Sequence, residues 1–135
     1  MTAALVLAMT GMGQAQEEDR TADSLHVAGG IVFLEAPSNL GLRPPKPGVE
    51  PGVKQLPEAI RATGLLRRLR AREMGRVEPH AYSPDSEPVT GFRNGLALAA
   101  YSQELASRMS SLLGSGQFIL VLGGDCSILL GTGLA

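Results

Sequence analysis

Three observations predict an α/β fold built on a parallel sheet. Two short apolar runs, Ile31 to Leu34 and Phe118 to Val121, read as strands, and the first, bounded by Gly29-Gly30 and Pro37, has the pattern of a strand buried on both faces. Helical spacing lies between them and is strongest from Phe92 to Leu113. The second run stops at Gly123-Gly124 and is followed by Asp125, Cys126, Ser127 and new apolar residues, which reads as strand, tight turn and helix start. The alternation of strands and helices implies parallel strands joined by right-handed crossovers.

The length of 135 residues suits one domain. With 44% hydrophobic residues and a net charge of -1, the chain is neither a disordered polyelectrolyte nor a general binder of nucleic acid. No apolar run approaches the length of a membrane span. One cysteine cannot form an internal disulfide, so Cys126 matters only through burial, nucleophilicity or metal ligation.

Residues 1–27 are expected to be an N-terminal extension, with the folded unit over residues 28–135. Ala3 to Met9 is apolar, and Gly13-Gln14-Ala15 before Gln16-Glu17-Glu18-Asp19 resembles a small-x-small cleavage site. No Lys or Arg precedes the apolar stretch, so a cytoplasmic location is favoured, with export the alternative if residues 1–15 are a signal peptide.

After the first strand, Ser38 to Gly52 is rich in proline and glycine. At about fifteen residues it exceeds the usual connection, which suggests that it borders a site. Pro57-Glu58-Ala59-Ile60-Arg61 starts a helix, and Gly64 is expected to break or kink it before Leu65 and Leu66. Arg67, Arg68, Arg70, Arg72 and Arg76 form a basic run that reads as a solvated helix face. Val77 to Tyr82 is expected as a second strand at an edge, since Pro79 removes a ladder donor. His80 stands near its end, where a ligand or base would lie, although a lone histidine is more often structural; His26 precedes the fold. In the Phe92 to Leu113 helix the expected apolar stripe is Leu96, Ala99, Ala100, Leu105, Ala106, Met109, Leu112 and Leu113, with Ser102 among the wet residues.

The turn at Gly123 to Ser127 lies where open parallel sheets bind ligands, outside the carboxyl ends of the strands. Asp125 or Ser127 is expected to cap the helix that leaves. Phosphate binding is disfavoured, because the glycine spacing matches neither dinucleotide nor P-loop patterns and Asp125 would repel the ligand. A nucleophilic Cys126 needs a base, and no histidine follows it. A metal site would use Cys126 as ligand with Asp125 orienting it, and needs further ligands. A buried structural cysteine under a tight turn is the remaining reading.

Phe118 to Gly131, FILVLGGDCSILLG, resembles the strand and turn of the ureohydrolase family of arginases and agmatinases, where Gly-Gly-Asp-His-Ser follows an apolar strand and the histidine binds one of two manganese ions. Leu34 to Gly41 resembles that family's first strand and loop. Pro57 to Arg61 followed by Thr63-Gly64-Leu65-Leu66 resembles its P-x-x-[IL]-R helix and A-G-L-L continuation. The resemblance implies a three-layer α/β/α sandwich around a parallel sheet, incomplete in this chain. It implies a metal-dependent hydrolase cleaving a C–N bond of a small guanidino or amidine-like substrate, and a trimer or hexamer for the full-length protein. By the same resemblance Cys126 takes the ligand position usually held by histidine, and Asp125 stands behind it. Manganese is the expected metal, while a thiolate suits zinc, nickel or iron better. The family's Asp-x-His-x-Asp and Asp-x-Asp motifs do not occur before Ala135. The chain therefore resembles an N-terminal portion that is inactive alone. Two alternatives stand beside this: a non-catalytic arginase-fold protein with a degenerate metal site, and a cysteine-nucleophile hydrolase.

Overall fold

The computed structural model describes residues 29–135; His26 and the expected extension or signal segment lie outside the described residues. Strand β1 (Ile31–Ala36) is followed by a 3-10 turn (Gly52–Gln55) and two short helices, α1 (Leu56–Ala62) and α2 (Leu65–Arg68). Strand β2 (Arg72–Arg76), helix α3 (Gly95–Ser110), strand β3 (Phe118–Gly123) and helix α4 (Ile128–Leu134) complete the order. The sheet runs β2-β1-β3 with both pairings parallel, so β1 is central and buried along nearly its whole length.

Alternation along β1 assigns each face a different chemistry. Leu34 and Ala36 join Tyr101, Leu105, Met109 and Leu112, with Ile119, Val121 and Ile128 packed around them. This is the main core, roofed by α3 and α4. The helices themselves meet at Gly131, where an added methyl would collide with the Leu105 side chain and the Ser102 carbonyl. Phe33 and Glu35 belong to the opposite face. There Arg61 of α1 stacks 5.4 Å above the Phe33 ring and pairs with Glu35, while Arg76 Nε donates to the same carboxylate at 2.7 Å. Helices on both faces of a parallel sheet make the α/β/α sandwich expected from the sequence, with three strands in this chain.

Two expectations are corrected. The second strand is Arg72–Arg76, and Val77 to Tyr82 is not a strand. Val77 N–H still donates to Glu35 O at 2.9 Å, but the chain then leaves the ladder at Glu78-Pro79. Arg72 and Arg76 accordingly lie on an edge strand and not on a helix face; Arg76 is paired with Glu35, Glu58 and Glu78, and Arg72 donates to Gln117. The long helix is Gly95–Ser110 and its buried stripe is rotated from the expected one. Tyr101 and Ser102 are buried, whereas Leu96 is 56% exposed and Ala99 is exposed. Tyr101 carries a hydroxyl into the core by donating it to Val77 O at 3.1 Å, and Ser102 Oγ donates to Leu98 O at 2.8 Å. The break at Gly64 is as expected, with φ +74.

Burial pushes the Tyr101 hydroxyl well above the ordinary tyrosine range, so the fold holds the neutral phenol. That contribution is intact below the ordinary tyrosine value of about 10 and is lost as pH rises above it. Tyr101→Phe is expected to cost about 1 kcal/mol at neutral pH through the lost hydrogen bond and to flatten the alkaline fall in stability. Urea melts across neutral to alkaline pH check this; an unchanged alkaline limb in the variant would show that Tyr101 is not its source.

Candidate functional site

At the carboxyl ends of β1 and β3 two loops are fastened together. Parallel pairing runs to Ala36 opposite Gly123, and the contact continues beyond the strands as Gly124 N–H donates to Ala36 O and Asp125 N–H to Ser38 O. Gly124 has no alternative here, because any Cβ would overlap the Ser38 carbonyl oxygen. A glycine pair after the strand is thus explained by close backbone approach.

Asp125 is 8% exposed, and both of its carboxylate oxygens are engaged. Oδ2 accepts from Gly41 N–H at 2.9 Å, and Oδ1 accepts from Ser127 N–H at 2.7 Å. The first bond reaches back across the β1 loop and the second closes the turn into α4. Ser127 occupies the N-cap position but does not cap with its side chain; its Oγ meets Ser38 Oγ at 3.1 Å. Neither residue caps the start of α4 with its side chain, contrary to expectation; Asp125 instead closes the turn onto the N–H of Ser127.

The proline-rich loop borders this turn as expected and is held from several sides. Asn39 Nδ2 donates to Glu50 Oε1 and Pro51 O, and the Lys54 ammonium, followed by that amide, holds the Glu50 carboxyl below its ordinary value. Asn94, 1% exposed, donates Nδ2 to Leu40 O and accepts from Ser83 N–H. Tyr82 donates its hydroxyl to Leu42 O at 3.0 Å. Ser38, Asn39, Asn94 and Tyr82 were not legible as site-shaping residues. The one available signal was an asparagine just before a helix, and Asn94 indeed adopts φ 54, a left-handed conformation asparagine tolerates.

Cys126 sits between these anchored residues and is free and exposed, which removes the buried-cysteine reading. His80 is not at the turn's service: its Nε2 pairs with Glu104 on α3 at 3.1 Å, with both side chains about half exposed. Among the described residues no group of three or more His, Cys, Asp or Glu is placed to hold a metal ion. Among the described residues, then, the turn offers one exposed thiol beside a carboxylate that has a backbone donor on each oxygen.

Two substitutions test the turn. Gly124→Ala is expected to destabilise by more than about 3 kcal/mol, since backbone must move. Asp125→Ala is expected to cost about 2–4 kcal/mol by removing a charged acceptor from two backbone N–H groups. Denaturant unfolding of each variant measures both, and losses below about 0.5 kcal/mol, the level of an ordinary surface change, would show that the turn is not a fastening.

The chain is 31% identical to arginase-1 of Homo sapiens over 106 residues, covering 76% of this chain and 31% of that protein. It is 33% identical to the arginase of Neurospora crassa over 91 residues, covering 62% of this chain and 25% of the relative. Among solved structures it superimposes on the arginase of Bacillus caldovelox with a TM-score of 0.64 and 28% identity, covering 76% of this chain and 34% of that one. The corresponding values for an arginase from Bacillus subtilis are 0.58 and 27%, with coverage of 76% and 31%. No family model matches the chain. It spans at most about a third of the length of these relatives. Sequence and backbone agree over most of its length, and on that agreement the chain belongs to the arginase, or ureohydrolase, family.

Proposed function

We propose that this chain is a non-catalytic arginase-fold segment in which the Gly-Gly-Asp-x-Ser turn serves architecture and the metal position has degenerated. The observation that carries this reading is the exposed cysteine at the position the family usually gives to histidine, with no group of three or more metal-binding side chains around it among the described residues. The Asp125 carboxylate next to it, engaged by Gly41 and Ser127 N–H, fastens two loops.

The family relationship and the share of the relatives that the chain spans favour a second reading. In it, these residues are the N-terminal portion of a metal-dependent hydrolase acting on a C–N bond of a small guanidino substrate, assembled as a trimer or hexamer. Cys126 would then hold one ligand position for manganese, or for zinc, nickel or iron, with Asp125 behind it and the remaining ligands supplied from outside the described residues.

Metal content and thiol reactivity separate the two. After incubation of the full-length protein with manganese or zinc and removal of excess ion, the first reading expects substoichiometric metal, no urea from arginine or agmatine, and alkylation of Cys126 at the same rate with and without metal. Stoichiometric metal lost on Cys126→Ser, with the thiol protected by the ion, would replace it by the second.

A further inference from the structure

The arginine run from Arg67 to Arg76 has no part in that reading, and the fold sorts its members. Arg76 is engaged by Glu35, Glu58 and Glu78, and Arg72 donates to Gln117. Arg67, Arg68 and Arg70 have no carboxylate partner among the described residues. Of these three, Arg67 alone lines an open pocket of about 310 Å³ between the α1–α2 corner and the sheet, whose walls include Phe33, Arg61, Gly64, Leu66 and Glu73. The size falls at the lower end of the range for small-molecule sites, about 300–1,000 Å³.

The lining has one unmatched charge. Phe33 is 1% exposed and closes the floor, with the Arg61 guanidinium stacked above its ring. Arg61 is balanced by Glu35 and Glu73, and those bonds raise its pKa further, so it stays a cation with its charge answered. Glu73, the acid in the lining, is occupied by that same bond. Arg67 remains. Its Nη2 lies 3.2 Å from where a Cβ on residue 64 would stand, so the bare backbone of Gly64 leaves room for the guanidinium to fold over the corner. A planar five-donor cation beside the accessible methyls of Ala62 and Ala71 matches a carboxylate carried on a compact apolar body.

We propose that this pocket binds a small organic anion, its carboxylate held by Arg67 and its apolar body seated against Ala62 and Ala71. The site lies on the sheet face opposite α3 and α4, beside a mid-strand residue, and is independent of the Gly123 to Ser127 turn.

Calorimetric titration of the full chain with benzoate at low ionic strength tests it. Saturable one-to-one binding is expected, weakened about tenfold or more in Arg67→Gln, the loss of one charge-assisted pair, and unchanged in Arg43→Gln, an exposed arginine outside the pocket. Inorganic phosphate is expected to bind more weakly than benzoate, because it has no apolar body. Absence of saturation, equal affinity in Arg67→Gln, equal loss in Arg43→Gln, or phosphate binding as well as benzoate would each overturn the proposal. Arg67 is exposed and bonds no acid, and far-UV circular dichroism of the variant confirms that its fold is kept.

Discussion

The carboxylate of Asp125 fastens the ends of β1 and β3, and the rest of the site region follows from it. Two parallel strands end side by side, and their loops diverge toward different parts of the chain. Each loop carries backbone N–H groups that strand pairing no longer satisfies. Asp125 answers one from each, Gly41 on the first loop and Ser127 on the second. Backbone bonds from Gly124 and Asp125 to Ala36 and Ser38 close the same seam, and it can close only because Gly124 lacks a side chain. A buried carboxylate is costly unless its lone pairs are filled; here each oxygen meets a donor, which makes the group an anchor.

A second buried acid organises the opposite face of the sheet. Glu35 is on the central strand with a 6% exposed side chain, and its oxygens are shared by Arg61 from α1 and Arg76 from β2. A charge in that position without partners would be strongly destabilising, while a fully paired one holds helix and edge strand in register. The two edges of the sheet differ accordingly. The β2 edge is short, charged and irregular in register, devices that discourage further pairing. The β3 edge carries Phe118 and a run of aliphatic residues with no strand beyond it among the described residues.

Membership of the arginase family and the use of its motif are separate matters, since a fold hosts chemistry only where the site residues are suited to it. The strand, the glycine pair, the aspartate and the serine of the turn follow the family pattern, and all of them have architectural work in this fold. The residue between Asp125 and Ser127, whose thiol is free and exposed, is the one that departs from the pattern.

Local signals carried far in some places and failed in others for identifiable reasons. The buried strand Ile31–Ala36, the half-buried strand Phe118–Gly123, the helix break at Gly64 and the tight turn were legible because apolar continuity and glycine punctuation are local properties. The strand at Arg72–Arg76 was not, since an edge strand in REMGR has no apolar face to display and is held by Glu35 and Glu73 from elsewhere in the chain. The helix stripe was misplaced because Tyr101 and Ser102 count as polar until Val77 O and Leu98 O accept their hydroxyls. The sequence by itself determined the fold class, the family resemblance and the position of the altered donor, Cys126, because these depend on residue order alone. Tertiary structure decided that Asp125 is a fastening, that His80 belongs to Glu104 and that Arg67 faces a pocket, because each depends on which distant groups fill a side chain's bonds.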